Sequence, residues 1–268
     1  EFHAFFDAAL ADQWGTASNI YNIARGKSYS RSFSDAGAED PRIANELWEC
    51  VHNTYWTWRW STIWSPRIAS QYGNSILASL PSDAILLTAT DSGQFVLPFI
   101  QHQHERVHDE VTVLSLYGLW RKERADFIED SVSRGVCLPD LRQRLELAKE
   151  ARAKVLSGSV PHRPSQDVTA EVLMVEALDM VAVEDLIKRN ETKHQIFMDM
   201  RTVPEWLAPN LRPHGVLMHW VTNAAMPLAH DEIAVDFAFW TDLEGRLLGQ
   251  QEFVRCEEAR STFARMRS

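Results

Sequence analysis

Two short apolar runs in the middle of the chain are bounded by turn residues. Residues 84–89, Ala-Ile-Leu-Leu-Thr-Ala, lie between Pro81-Ser82-Asp83 and Asp91-Ser92-Gly93, and residues 111–116 read Val-Thr-Val-Leu-Ser-Leu. Runs of this length, partly β-branched and closed by turn formers, predict buried strands. Residues 94–104 between them have helical length. Strand, crossover helix and strand within so short a stretch predict a βαβ unit with parallel strands. Residues 194–200 and 215–221 predict a third and a fourth strand, with a short proline-started helix over 204–207. Residues 121–133, 138–156 and 170–190 are charged and helical, while Gly158, Pro161 and Pro164 make 157–165 a loop.

The flanks have a different pattern. Phe2, Phe5, Phe6, Ala4, Ala8, Ala9 and Ala11 suit one packed helix, residues 26–40 read as a polar loop, and Pro41 opens a helix over 42–55. Trp48, Trp56, Trp58, Trp60 and Trp64 are half of the ten tryptophans and fall in one stretch. Trp56, Trp58 and Trp60 alternate, so an extended backbone puts them on one face and a helical one makes them a core or a seam. Ser65-Pro66 starts a third helix, and after Pro227 helices are expected over 231–248 and 252–266. The expected fold class is α/β: a short, mainly parallel sheet with helices on both faces, Rossmann-like, preceded and followed by helical segments. The expected division is 1–79 helical, 80–228 α/β, and 229–268 a helical linker.

Composition narrows the function. The 268 residues are 45% hydrophobic and 24% charged, as expected of a folded chain, and the net charge of −10 argues against a nucleic-acid surface. No uninterrupted apolar stretch is long enough to cross a bilayer. The chain opens at Glu1 without Met and stops in a helical pattern at Ser268, which reads as a fragment. Cys50, Cys137 and Cys256 are widely spaced and odd in number, so neither a disulfide framework nor a cysteine zinc site is expected.

Three groups of residues could carry chemistry, and the tryptophan stretch is one, because exposed indole faces stack on sugar rings and often mark binding surfaces. Asp91-Ser92-Gly93 falls where the first strand gives way to a helix, beyond the carboxyl end of a strand, where open α/β sheets collect ligands. Gly93 admits close backbone approach, the first helix amides attract anions, and Asp91 could instead hold a sugar hydroxyl or a cation; the simpler role for Asp91 or Ser92 is a helix cap. His104-Glu105-Arg106-Val107-His108 fits the H-E-x-x-H pattern, in which His104 and His108 bind zinc and Glu105 serves as general base, with Glu129 or Asp130 as a third ligand by spacing and His102 close by. A strand beginning at Val111 leaves little room for the helix that this chemistry needs, and a solvated helix end is the competing reading. No G-x-S-x-G, P-loop, G-x-G-x-x-G or nucleophilic cysteine arrangement is present.

The stretch SILASLPSDAILLTATDSGQFVLPFIQ followed by DEVTVLSL resembles the soluble region of a bacterial family of multi-pass, GT-C-like glycosyltransferases. That family is related to the vertebrate transmembrane O-mannosyltransferase of plexin-type domains. VEDLIKRNETKHQIFMDMRTVPEWLAPNLRPHGVLMHW resembles the family's helix ending in Asn and the strands that follow. FWTDLEGRLLGQQEFVRCEEARSTFARMRS resembles its linker to a tetratricopeptide region. Where the family has Arg-Pro-Asp-Val, this chain has Val107-His108-Asp109-Glu110-Val111, and the same departure creates H-E-x-x-H. The resemblance implies a non-catalytic accessory domain of a membrane parent, extracytoplasmic, positioning a glycan or protein acceptor near a lipid-linked sugar. It implies no cofactor and no catalytic residue here, since the chemistry belongs to the membrane part. Zinc enters only in the metallohydrolase alternative, and a structural spacer is the third reading.

Overall fold

A computed structural model describes residues 2–29, 47–63, 66–89, 96–101, 110–116, 119, 135–160, 170–199, 206–222 and 230–247. The chain falls into two compact units, each built from two stretches: Glu1–Trp60 with Leu114–His194, and Ser61–Val113 with Gln195–Ser268.

The described parts of the first unit are mainly helical. Helix α1, Phe2–Leu10, and helix α2, Trp14–Tyr29, are separated by Asp12 at φ 57°. Asp is one of the few residues that tolerate this left-handed turn, which lets the Gln13 N–H reach the Ala8 carbonyl at 2.8 Å and ends α1. α2 runs through Gly26 to Tyr29, where the sequence predicted a loop from Gly26. Helix α3, Leu47–Ile63, carries the tryptophan stretch. Phe5, Ala8, Ala17, Tyr21 and Val51 form the buried core of these helices.

Helices α6, Leu141–Leu156, and α7, Ala170–Asn190, form a hairpin around Leu147, Ala151, Val160, Ala177, Leu178 and Val181. α6 opens with a capping box: the Asp140 carboxylate accepts from the Gln143 N–H, and the Gln143 side chain accepts from the Asp140 N–H.

The second unit holds an α/β arrangement with a mixed five-stranded sheet in the order β2-β1-β3-β5-β4, β2 lying at the unit's boundary. Strands β1, Ile85–Thr88, and β3, Ile196–Asp199, are parallel, and β2 is Thr112–Ser115. All four residues of β1 and of β3 are buried, which explains why both read as unbroken apolar runs rather than alternating ones. β5, Leu217–Trp220, runs antiparallel to β3 and to β4, Leu211–His214. The hairpin of β4 and β5 replaces the single fourth strand expected over 215–221.

Edge strand β4 contains a proline. The Val221 N–H donates to the Asn210 carbonyl at 2.8 Å, so the Asn210–Val221 pair is hydrogen-bonded. Alternation along an antiparallel ladder then makes Pro213–Met218 a non-hydrogen-bonded pair. The missing N–H of Pro213 therefore faces away from β5, and the hairpin loses no bond.

Helices α4, Pro66–Ala78, and α5, Leu97–Gln101, pack together where Gly73 leaves room for Ile100; a Cβ on Gly73 would lie 2.8 Å from Ile100 Cγ1. Buried Gln101 donates to the Val111 carbonyl at 2.8 Å, tying α5 to the approach to β2. Helix α8, His230–Leu247, packs on α4 and β4. Among the described residues no helix is long and apolar enough to cross a membrane.

Candidate functional site

The carboxyl ends of β1 and β3 lie side by side. Thr88 is the register partner of Asp199, and the Ala89 N–H donates to the Asp199 backbone carbonyl at 2.9 Å, so the pairing continues past the end of β1. Thr88 is 0% exposed and Asp199 8% exposed. Two polar side chains thus close two otherwise apolar strands. Polar groups in such a position must be hydrogen-bonded, because burying them unpaired costs kilocalories. Chemically the pair is a carboxylate that only accepts beside a hydroxyl that both donates and accepts.

Side chains on a strand alternate between faces, so the register puts Leu86, Phe197, His219 and Arg212 in one row on the same face as Thr88 and Asp199. His214 shares that face, opposite Leu217. The Phe197 ring stacks on His219 (centroids 4.5 Å, planes 13° apart) and meets His214 at 4.8 Å. His214 Nε2 is 2.8 Å from the Ser79 carbonyl oxygen. A carbonyl can only accept, so the ring carries its proton on Nε2. This fixes His214 to the carboxyl end of α4.

The β4–β5 turn is held from α8. Gly215 has φ 59°, its N–H donates to the Asp236 carboxylate, and the Phe239 ring covers its Cα. A Cβ at Gly215 would lie 2.5 Å from Phe239 Cδ1, so both the backbone angle and the space require glycine.

Asp91, Ser92 and Gly93 lie outside the described residues, as do His104, Glu105, His108 and Glu129. Asp91 follows Thr88 by three residues in the sequence. Among the described residues no group of three or more His, Cys, Asp or Glu side chains could hold a metal ion. Asp199 went unremarked as a site residue in the sequence; the available signal was a carboxylate ending the run Ile196-Phe197-Met198.

The alternating tryptophans do not share a face. α3 is helical there, so Trp56 and Trp60 are one turn apart, while Trp58 points elsewhere and stacks on Trp14 (centroids 4.5 Å, planes 6° apart). Compared with known proteins, the chain matches no protein-family model, no curated protein and no solved structure.

Proposed function

We propose that this chain is the ligand-positioning module of a membrane glycosyltransferase-like protein, holding a hydroxyl-rich glycan or acceptor at the carboxyl edge of β1 and β3. The observation that carries this reading is the lateral pairing of buried Thr88 with buried Asp199 at that edge. The resemblance to the multi-pass family supports an extracytoplasmic module without catalytic residues or cofactor, the sugar transfer belonging to the membrane part. In this reading the sheet is Rossmann-like and covered by helices on both faces.

Saturation-transfer NMR with a panel of monosaccharides and short oligosaccharides tests it. Wild type should show binding, and Asp199→Asn and Thr88→Val should weaken it at temperatures where circular dichroism shows each variant still folded. Losing one hydrogen bond to a charged group costs about 1.5–3 kcal/mol, at least about tenfold in Kd. A wild-type protein that binds no saccharide sinks the ligand role. Hydrophobic spans upstream of Glu1 in the parent reading frame are expected, and a start codon just upstream without spans counts against the membrane parent.

A further inference from the structure

The aromatic side chains of α2 and α3 form a continuous run inside the first unit. Trp14 stacks on Trp58, the Trp58 ring lies 5.8 Å from Tyr55, and Tyr55 stacks on Tyr21 at 3.8 Å with planes 11° apart. The two tryptophans are partly exposed, whereas Tyr21 is fully buried. The run therefore leads from the rim of the unit to its core.

At the buried end the phenol lies between two nitrogen groups. Trp56 Nε1–H donates to Tyr21 Oη at 3.0 Å, and His52 Nδ1 is 3.0 Å from the same oxygen. An indole N–H can only donate, so it occupies a phenol lone pair and leaves the phenol hydrogen to an acceptor. A neutral imidazole with its proton on Nε2 offers that acceptor at Nδ1.

We propose that this run is a sink for one-electron oxidation that ends at Tyr21. An oxidant of the oxyl-radical class takes one electron from the stacked Trp14–Trp58 pair. An electron then passes from Tyr21 through Tyr55 to the indole radical cation, while the Tyr21 O–H bond breaks and its proton goes to His52 Nδ1. The products are a restored tryptophan, a neutral Tyr21 phenoxyl radical and a His52 imidazolium, so electrons, protons and charge balance. The direction is downhill because a phenoxyl radical is a weaker oxidant than an indole radical cation. A phenol yields its electron readily only when its proton has somewhere to go, and His52 supplies that place. The rim tryptophans are repaired at the expense of a radical shielded in the core.

Pulse radiolysis of the full chain with the azidyl radical as oxidant tests this. Absorption of the indole radical cation should decay with matching growth of phenoxyl absorption, at a first-order rate independent of protein concentration and slower in deuterium oxide. Tyr21→Phe should lose the phenoxyl yield several-fold, and His52→Leu should slow the transfer several-fold. Should Tyr21→Phe not fold, His52→Leu and the partly exposed Tyr55→Phe carry the same test, each slowing the transfer. Aromatic packing without a relay gives the opposite results, and any of them overturns the proposal: an unchanged phenoxyl yield in Tyr21→Phe, a rate that scales with concentration, or no isotope effect. Circular dichroism of each variant establishes that the helices are retained.

Discussion

The Asn190 side chain pairs with the backbone of Cys137 on both sides. Its Oδ1 accepts from the Cys137 N–H at 2.7 Å, and its Nδ2 donates to the Cys137 carbonyl at 2.9 Å and to the Leu186 carbonyl at 2.8 Å. With Asn190 0% exposed, one amide serves as a strand partner for a segment 53 residues away in sequence. Asn190→Ala removes three hydrogen bonds and deprives the Cys137 N–H and carbonyl of this partner, so it should lower stability by about 2–4 kcal/mol, on a net value of ~1 kcal/mol per bond with desolvation added. Urea titration should show a lower midpoint at unchanged slope. A loss below about 0.5 kcal/mol means water replaces the amide fully.

Gly215 and Phe239 should be energetically coupled. Gly215→Ala must accept the left-handed angle, at about 1–2 kcal/mol, and then displace the Phe239 ring. Phe239→Leu in the Gly215→Ala background should restore part of the loss, with a coupling energy of about 0.5 kcal/mol or more in a double-mutant cycle. Strict additivity contradicts the contact.

The start of α6 depends on Asp140. Asp140→Ala removes the acceptor for the Gln143 N–H and should cost about 1 kcal/mol. Asp140→Ser, which keeps an acceptor, should restore most of it. Equal losses in the two variants, read by thermal unfolding, would show that the cap contributes nothing.

Arg189 donates to the Asp185 carboxylate at 2.6 Å, and this hydrogen bond raises the guanidinium pKa against the lowering effect of burial. A raised folded-state pKa gives stability fully present below the ordinary arginine value and lost only as pH climbs through the raised one. The urea-midpoint gap between wild type and Arg189→Gln should therefore stay constant from neutral to mildly alkaline pH. A gap that narrows over that range contradicts the assignment.

Metal analysis decides the H-E-x-x-H pattern. The purified chain should contain no stoichiometric zinc, and a chelator should leave its thermal midpoint unchanged. Stoichiometric zinc that disappears in His104→Ala and in His108→Ala reinstates the metallohydrolase, with Glu105 as base.

Local signals made much of the fold legible. The apolar runs around Leu86 and Phe197 announced buried strands because both faces of β1 and β3 are covered. Helix α7 was readable over its whole length, Ala170–Asn190, since no breaker interrupts it. Strand β4 was not readable: Leu211-Arg212-Pro213-His214 lacks an apolar run, and it becomes a strand only by pairing with β5. The break after α1 rests on the left-handed angle at Asp12, which composition does not reveal. Asp91-Ser92-Gly93, the site residues read from the sequence, lie outside the described residues, and Asp199, the partner of Thr88, comes from a strand more than 100 residues later. Register between distant strands is a tertiary property, and no local pattern states which Asp will face which Thr.

Pro213 has a consequence for how this protein behaves in a crowded solution. An open sheet edge is a template on which another chain can add a strand, and repeated addition builds fibrils. At β4 the outward-facing donor at the middle of the edge is replaced by a ring carbon. A strand docking there meets a steric and hydrogen-bonding gap in a row only four residues long. On that flank the sheet carries its own chain terminator against polymerisation.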